Sequence, residues 1–343
     1  MDITHEIKQI REYYGNRLLI LAHHYQRDAV VQHADLRGDS FQLAKFASEQ
    51  KQAEFIVFCG VRFMVEAAEV LSKPHQKVLH PNPESGCPLA DMADLPSVEK
   101  AWNFLKTVTD VSKIIPVVYV NSDVKLKAFC GNHNGLTCTS SNSPKAFRWS
   151  FEQGNNNKVF FFPDQFLGTN TAHKMNITDD KIAVFDPKQE NGGVTTEQIE
   201  KAKVILWRGF CHVHTHYKPE HILQARKEFP GIKIYVHPEC KTEVVDLADG
   251  FGSTKFLREI VQNGKSGEIF GIGTEYNLVN RLAAENPDKT VIPMNESICP
   301  NMFKIAEEHV YETLKNLKTF KPVNVDEQYK QGALLALNRM LTL

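Results

Sequence analysis

Three stretches of the sequence, each ending in a cysteine, decide the fold. They are Val78-Leu-His-Pro-Asn-Pro-Glu-Ser-Gly-Cys87, Val204-Ile-Leu-Trp-Arg-Gly-Phe-Cys211 and Val291-Ile-Pro-Met-Asn-Glu-Ser-Ile-Cys299. Each begins with a short apolar run, which is typical of a buried β-strand, and continues through loop residues to the cysteine. The cysteines are too far apart in sequence for a local metal motif. They can meet only if the three stretches are equivalent parts of a repeated unit.

The first unit contains, in order, an apolar run over residues 17–22, the polar residue His23, the hydroxyl residue Ser40 and then Cys87. The apolar run predicts a buried parallel strand that presents His23 at its carboxyl end. Asp39 is a suitable N-cap, so Ser40 is predicted to begin a helix.

The third unit repeats this order near the end of the sequence. The apolar run 232–236 is followed by His237, Thr254 and Cys299. The interval from His237 to Thr254 is 17 residues, and the corresponding interval in the first unit is also 17. The interval from hydroxyl residue to cysteine is 45 residues here and 47 in the first unit. These matching intervals indicate that the two units are equivalent.

The middle unit follows the same order with longer intervals. Its apolar run 114–118 precedes Tyr119, and Ser140 follows 21 residues later. Cys211 lies another 71 residues along the chain. We therefore expect an extra segment in this unit, at residues 170–196.

These patterns predict an α/β protein made of three similar parallel-sheet domains. The predicted domains are residues 1–95, 96–216 and 217–303, and residues 304–343 form a helical tail that packs on the body. Ligands bind beyond the carboxyl ends of parallel strands, so the active site is predicted at the common centre of the three domains.

The composition excludes several classes of protein. The 343 residues are 42% hydrophobic and 24% charged, which is typical of a globular protein with a substantial core. A net charge of -1 gives no general electrostatic case for nucleic-acid binding. We expect neither a signal peptide nor a membrane span, because no suitable apolar run is present. Seven cysteines without short-spaced pairs indicate a reducing compartment, and the cytoplasm is predicted.

Two sets of polar residues are candidates for binding and catalysis. The hydroxyl residues Ser40, Ser140 and Thr254 are typical of helix caps, but three helix starts at one cavity would also bind phosphate or carboxylate groups. We therefore predict a small substrate with several negative charges. The strand-end residues that could transfer protons or orient the substrate are His23, Tyr25, Tyr119, Asn121, His237 and Glu239.

The three matched cysteines predict a shared metal centre. Three thiolates suit zinc or an iron–sulfur cluster, and a cluster with three protein ligands leaves one iron open as a Lewis acid. The alternating residues His212, His214 and His216 predict a strand or extended loop with only one face available to a metal, so zinc is less favoured there. The cysteines at non-equivalent positions, predicted to be structural, are Cys59, Cys130, Cys138 and Cys240.

The order and spacing of several short motifs resemble those of the quinolinate synthase family over essentially the whole chain. The motifs are Ala22-His-His-Tyr-Gln26, Gly38-Asp-Ser40, Gly86-Cys87-Pro, Tyr119-Val-Asn121, Cys138-Thr-Ser-Ser-Asn142, Pro163-Asp-Gln-Phe-Leu-Gly168, Trp207-Arg-Gly-Phe-Cys-His-Val-His214, His237-Pro-Glu-Cys240, Gly252-Ser-Thr254 and Cys299-Pro-Asn-Met302. The resemblance implies condensation of iminoaspartate with dihydroxyacetone phosphate to quinolinate, with release of phosphate and water.

The resemblance also implies three homologous α/β domains around a pseudo-threefold axis, with the active site at their common centre, and a role for individual residues. A [4Fe–4S] cluster is expected on Cys87, Cys211 and Cys299. Tyr25 and Glu239 are expected to transfer protons, and His23, Tyr119 and His237 complete the catalytic set. The residues expected to contact substrate or intermediates are His23, Ser40, Tyr119, Val120, Asn121, Ser140, His237, Pro238, Glu239 and Thr254.

The expected partners are the two small-molecule substrates, an enzyme that produces iminoaspartate and the iron–sulfur assembly machinery. Two other functions are compatible with the sequence. One is a non-catalytic iron–sulfur carrier or sensor, although a carrier would not need three sets of polar strand-end residues. The other is a metal-free sugar-phosphate enzyme with three domains.

Overall fold

The computed structural model describes residues 2–343. In this part of the chain the strands are β1 (Leu18–His23), β2 (Leu36–Gly38), β3 (Phe55–Cys59), β4 (Lys77–Leu79), β5 (Ile114–Tyr119), β6 (Leu136–Cys138), β7 (Lys158–Phe162), β8 (Ile182–Phe185), β9 (Val204–Trp207), β10 (Lys233–Val236), β11 (Gly250–Phe251), β12 (Ile269–Gly273) and β13 (Thr290–Pro293).

The α-helices alternate with these strands. They are α1 (Ile3–Tyr14), α2 (Asp28–Val31), α3 (Ser40–Glu49), α4 (Arg62–Leu71), α5 (Leu95–Val108), α6 (Val124–Asn132), α7 (Ser143–Glu152), α8 (Gln165–Lys174), α9 (Thr196–Lys201), α10 (His212–Thr215), α11 (Pro219–Glu228), α12 (Thr242–Leu247), α13 (Thr254–Gln262), α14 (Tyr276–Glu285), α15 (Pro300–Phe303), α16 (Glu307–Lys315) and α17 (Glu327–Leu341).

The strands form three separate sheets, and all strand pairs within them are parallel. The strand order is β2-β1-β3-β4 in the first sheet and β11-β10-β12-β13 in the third. The middle sheet has the order β6-β5-β7-β9-β8 and is the same arrangement with one strand added at the edge. The prediction of three parallel-sheet α/β domains is confirmed.

The central strands were predictable because they are buried on both faces. All six residues of β1 and all six residues of β5 are buried, so each strand is one continuous apolar run that ends in a polar or aromatic residue. Strands β2, β6 and β11 were not predicted, because each is only two or three residues long and lies at the edge of its sheet. The added strand β8 lies inside the extra segment predicted at residues 170–196.

The first and third domains share a distinctive polar contact. Asp35 accepts a hydrogen bond from the backbone N–H of Ile20 in β1, and Asp249 accepts one from Ile234 in β10. An arginine from the preceding helix pairs with each of these aspartates, Arg11 in the first domain and Arg226 in the third. The same contact at the same place in both sheets indicates that the two domains are structural repeats.

The C-terminal helices pack on the first two domains. Val310 and Leu314 of α16 share a buried apolar cluster with Ile7 of α1 and Ile20 of β1. Helix α17 packs along α6, and its Ala333 and Leu337 are fully buried. The boundaries between domains, placed at residues 95, 216 and 303, stay a prediction. Within residues 2–343, no helix is both long enough and apolar enough to cross a lipid bilayer.

Candidate active site

One cavity lies where the carboxyl ends of the three sheets meet. Its wall contains every predicted site residue except two. The predicted residues that line it are His23, Tyr25, Ser40, Cys87, Tyr119, Asn121, Ser140, Cys211, His237, Glu239, Thr254 and Cys299.

Val120 and Pro238 are not part of the cavity wall. Both residues lie in turns just after a strand, and the residues on either side of each of them line the cavity instead. Val120 is buried in the apolar core shared by the first two domains. The carbonyl of Pro238 accepts a hydrogen bond from Asn170. A substrate contact by Val120 or Pro238 therefore stays a prediction.

The three cysteines occupy equivalent positions at the start of a helical turn. The carbonyl of Cys87 accepts a hydrogen bond from the N–H four residues later, at 3.1 Å, and Cys211 and Cys299 do the same at 3.0 and 3.1 Å. This common geometry places each thiol at the N-terminal end of its turn, where backbone N–H groups favour a thiolate. All seven cysteines of the chain are free, and Cys59, Cys130, Cys138 and Cys240 are buried away from the cavity.

Burial keeps the three cavity thiols neutral unless a cation is present. It raises the pKa of Cys87 to about 12, with a smaller contribution from the nearby Cys299, and it raises the pKa of Cys299 to about 11. The pKa of Cys211 is raised well above its usual range by burial and by the nearby carboxyl of Glu239. A metal centre would supply the positive charge that three buried thiolates need.

The distances between the three sulfur atoms limit the kind of metal centre that the cysteines can bind together. Sulfur ligands of one zinc ion lie at most about 4.6 Å apart, because each Zn–S bond is about 2.3 Å long. Within residues 2–343, only Cys211, His214 and Glu239 bring three potential ligand atoms within 4.8 Å of one another. The three cysteine sulfurs do not, so in this arrangement they are too far apart to bind a single zinc ion together.

Two histidines at the strand ends have the same local geometry. The backbone N–H of Tyr25 donates to Nδ1 of His23 at 3.1 Å, and the N–H of Glu239 donates to Nδ1 of His237 at 3.4 Å. Burial lowers the pKa of His23 to about 3 and that of His237 well below its usual value, so both rings are neutral. Since Nδ1 accepts in each ring, the proton is on Nε2, and each histidine can donate a hydrogen bond from that atom.

Glu239 is the buried carboxyl of the cavity. Its Oε1 accepts a hydrogen bond of 2.5 Å from the hydroxyl of Tyr119. Burial raises the pKa of Glu239 to about 7, although the hydrogen bond from Tyr119 acts in the opposite direction. A carboxyl group with a pKa near neutrality can both accept and return a proton under physiological conditions. The pKa of Tyr119 is raised well above 10 by burial and by Glu239, so its hydroxyl stays protonated.

Tyr25 is the second candidate for proton transfer. Its hydroxyl lies 2.8 Å from Oγ1 of Thr274, which follows β12 in the third domain. The ring of Tyr25 meets the ring of His23 edge to face, with 4.6 Å between centroids. Burial raises the pKa of Tyr25 well above 10, so Tyr25 is a proton donor at neutral pH. Thr274 was missed in the sequence because it has no matched hydroxyl in the other units.

The helix starts agree with the sequence prediction in two of the three domains. Ser40 and Thr254 are the first residues of α3 and α13, and Asp39 forms the predicted capping box. Ser140 instead lies in the turn before α7, which begins at Ser143. The turn from Thr139 is closed by hydrogen bonds to the side chains of Ser141 and Asn142, so α7 begins three residues after Ser140.

His214 is a functional candidate that the alternating histidine pattern did not indicate. Residues 212–215 form the short helix α10 and not the strand or loop that was predicted. His214 is therefore one helical turn from Cys211, and its ring stacks on that of His237 with 4.1 Å between centroids. Its Nε2 lies 4.0 Å from Oε2 of Glu239. The three-residue interval from the cysteine was the signal that could have identified it.

A second buried carboxyl group lies behind Glu239. Asp164 is fully buried and accepts a hydrogen bond from the backbone N–H of Leu167 at the start of α8. Burial and the neighbouring Glu239 raise the pKa of Asp164 well above its usual range. A neutral Asp164 adds no repulsion to an ionised Glu239.

The family comparison agrees with this geometry. A family model described as quinolinate synthetase A protein matches residues 5–342. The chain belongs to the quinolinate synthase family. Proteins named quinolinate synthase from Rhodopirellula baltica and Corynebacterium glutamicum are 45% and 44% identical to it. Each alignment covers 99% of this chain and 90% or 87% of the relative. A third relative with that name, from Nocardioides sp., is 46% identical over 96% of this chain and 86% of its own length.

Membership of this family confirms the resemblance found in the motifs, and it makes the chain an enzyme. The matched region includes all three domains and both C-terminal helices. No part of the cavity lies outside it, since the lining residues run from His23 to Met302.

The raised pKa of Glu239 predicts a measurable effect on stability. In the unfolded chain a glutamate ionises near pH 4.5, whereas in the fold Glu239 ionises near pH 7. Below pH 4.5 the group is protonated in both states and costs nothing. Between pH 4.5 and 7 the unfolded chain gives up this proton while the folded state keeps it, so stability falls as the pH rises through this interval and levels off above pH 7. Relative to Glu239→Gln, the metal-free wild type should lose about 3 kcal/mol of unfolding free energy between pH 4.5 and 8. Urea denaturation at several pH values measures this difference, and two parallel curves would contradict it.

Proposed function

We propose that this chain is a quinolinate synthase that condenses iminoaspartate with dihydroxyacetone phosphate. The products are quinolinate, phosphate and water. The observation that carries the proposal is the shared cavity, in which a cysteine, strand-end polar residues and a hydroxyl residue from each of the three domains line one wall.

We further propose that Cys87, Cys211 and Cys299 hold a [4Fe–4S] cluster. The thiols occupy equivalent positions, they are too widely spaced for one zinc ion, and their neutral state would change to thiolate beside a cation. When bound, the cluster would supply one iron without a protein ligand, which can polarise an oxygen or nitrogen of the substrate as a Lewis acid.

The cavity is suited to substrates that carry several negative charges. Iminoaspartate has two carboxylates, and dihydroxyacetone phosphate has one phosphate group. Helices α3 and α13 begin at the cavity wall with Ser40 and Thr254, and their first N–H groups and hydroxyls can bind such anions. Thr139 and Ser140 add two hydroxyl groups from the middle domain.

The proton transfers of the condensation are assigned to Glu239 and Tyr25. Glu239 can remove a proton from carbon or nitrogen and return it to a departing oxygen, because its pKa is near neutrality. Tyr119 holds the carboxylate in place by donating to Oε1. Tyr25, which stays protonated, can donate to a leaving hydroxyl group. The Nε2–H groups of His23 and His237 are free to orient carbonyl or carboxylate oxygens.

The cellular setting follows from the same chemistry. Seven free cysteines, three of them proposed to hold a cluster, require a reducing compartment, so we place the enzyme in the cytoplasm. Iminoaspartate is an unstable imine, and functional coupling to the enzyme that produces it would limit its hydrolysis. The cluster would be delivered by the iron–sulfur assembly machinery.

The direct test is quinolinate formation by the reconstituted protein. After anaerobic loading with iron and sulfide, the wild type should convert iminoaspartate and dihydroxyacetone phosphate to quinolinate, measured by liquid chromatography. The metal-free protein should form none. A fully loaded protein without product would favour the iron–sulfur carrier. Full activity of the metal-free protein would favour a sugar-phosphate enzyme without a metal.

Single cysteine variants test the proposed ligands. Cys87→Ser, Cys211→Ser and Cys299→Ser should each lose the visible iron–sulfur absorption and the activity, because two thiolates do not retain the cluster. Cys59→Ser is the matched control, since this buried cysteine of β3 does not line the cavity. Its absorption and activity should equal those of the wild type. A Cys59→Ser protein that cannot be loaded, or a loaded Cys87→Ser protein, would contradict the assignment.

A further inference from the structure

Each sheet presents a four-residue segment to the cavity at the end of its first strand. The segments are residues 23–26, which begin with the last residue of β1, residues 119–122, which begin with the last residue of β5, and residues 237–240, which follow β10 directly. In each segment the third residue lines the cavity, and the carbonyls of the second and fourth residues lie on either side of it. These third residues are Tyr25, Asn121 and Glu239.

In the first domain, one arginine binds both flanking carbonyls. Arg281 of α14 donates from one terminal nitrogen to the carbonyl of His24 at 2.8 Å. It donates from the other to the carbonyl of Gln26 at 2.5 Å. The Arg281 side chain is buried, and its charge pairs with the exposed carboxylate of Asp28 at 2.5 Å. An arginine of the third domain therefore fixes the backbone on both sides of Tyr25.

In the third domain, one asparagine makes the equivalent contacts. Nδ2 of Asn170, in α8, donates to the carbonyl of Pro238 at 2.8 Å and to the carbonyl of Cys240 at 2.9 Å. The side chain is 1% exposed, and within residues 2–343 its Oδ1 has no hydrogen-bond partner. Asn170 belongs to the second domain, and its amide group fixes the backbone on both sides of Glu239.

The two donors occupy the same position in the repeat. Arg281 is the sixth residue of α14, and Asn170 is the sixth residue of α8. Both helices follow the third strand of their sheet. The sixth residue of the matching helix α4 in the first domain is Ala67, which has no donor.

In the middle domain a lysine replaces the missing donor. Lys127 of α6 donates from Nζ to the carbonyl of Ser122 at 2.5 Å and to its hydroxyl at 3.2 Å. The side chain is completely buried, and Nζ lies 5.7 Å from the ring centroid of Phe63 in α4. The carbonyl of Ser122 corresponds to those of Gln26 and Cys240, so Lys127 supports the segment that presents Asn121.

These carbonyls lie past the ends of their strands, where the hydrogen bonds of the sheet can no longer hold them. A buried carbonyl without a partner is costly, and a donor anchored in a helix restricts the segment to one conformation. Misplacing a catalytic group by about 1 Å can reduce the rate about 100-fold.

We propose that Arg281, Asn170 and Lys127 are positioning residues, which hold Tyr25, Glu239 and Asn121 in place through the carbonyls beside them. For Tyr25 and Glu239 the donor comes from a neighbouring domain, so the geometry of the catalytic pair depends on how the domains dock. For the catalytic roles of Tyr25 and Glu239 the inference rests on the proposed function. The positioning of the three backbone segments by their donors does not depend on that function.

Double-mutant cycles test which residue each donor serves. Arg281→Met and Asn170→Leu should each lower kcat about 100-fold in the loaded enzyme, with a smaller change in KM. In a Tyr25→Phe background, Arg281→Met should add little further loss, because its effect passes through Tyr25. In a Glu239→Gln background, Arg281→Met should lower kcat by the same factor as in the wild type, because its effect does not pass through Glu239. Asn170→Leu should show the opposite pattern, and Arg281→Lys should recover part of the activity. Losses that multiply in every background would overturn the proposal.

Amide hydrogen exchange provides a measurement that does not depend on activity. Arg281→Met should speed exchange in residues 23–26, Asn170→Leu in 237–240 and Lys127→Met in 119–122, each by about tenfold or more. If a variant does not fold, Arg281→Lys or Asn170→Ser takes its place. Unchanged exchange in the assigned segment, or equal acceleration in all three, would contradict the proposal. A wild type that makes no quinolinate but shows this pattern would overturn the proposed function and leave the positioning role supported.

Lys158 provides a matched control. Its Nζ donates to the carbonyls of Ile199, Glu200 and Ala202, at 3.0, 2.7 and 2.6 Å, and thereby caps a helix away from the cavity. Lys158→Met removes three lysine–carbonyl hydrogen bonds, whereas Lys127→Met removes one bond to a carbonyl and one to a hydroxyl. It should speed exchange near residue 200 and leave kcat unchanged. A loss of kcat in this control equal to that in Lys127→Met would mean that general destabilisation explains both, and the proposal would fail.

Discussion

The common direction of the strands is the constraint on which the rest of the structure depends. Every strand pair in the three sheets is parallel, so each sheet has one carboxyl edge at which all of its strands end. The three edges face one cavity. Each domain therefore contributes the same kinds of groups: a strand-end polar residue, a hydroxyl residue and a cysteine. A site of this composition cannot form within one domain, because each sheet supplies only one cysteine of the three.

Burial determines the charge of almost every group at this site. It keeps the thiols protonated, the histidine rings neutral and the tyrosine hydroxyls un-ionised. Glu239 is the exception, since its pKa falls near neutrality and it can exchange a proton with a substrate. The protein alone therefore offers little charge to the anionic substrates. Helix N-termini and a bound metal centre would supply the missing positive potential.

Much of this arrangement was predictable from local patterns in the sequence. The buried central strands are continuous apolar runs, and the residues that end them form the cavity wall. The equal spacing of His23 and His237 from Ser40 and Thr254 also indicated the repeat. The short edge strands were missed because two or three residues carry no apolar pattern. The alternating histidines predict a strand or extended loop, whereas the structure forms α10 there and places the His214 ring one helical turn from Cys211. The contacts of Arg281 and Asn170 with backbone carbonyls join residues far apart in the chain, and carbonyls leave no trace in a sequence pattern.

The central claim is that three thiols from three domains hold one iron–sulfur cluster. The most direct measurement is the metal and acid-labile sulfide content of the anaerobically purified and reconstituted protein. We predict about four iron and four sulfide per chain, as a [4Fe–4S] cluster requires. One zinc per chain without sulfide would contradict the claim and would point instead to the group formed by Cys211, His214 and Glu239.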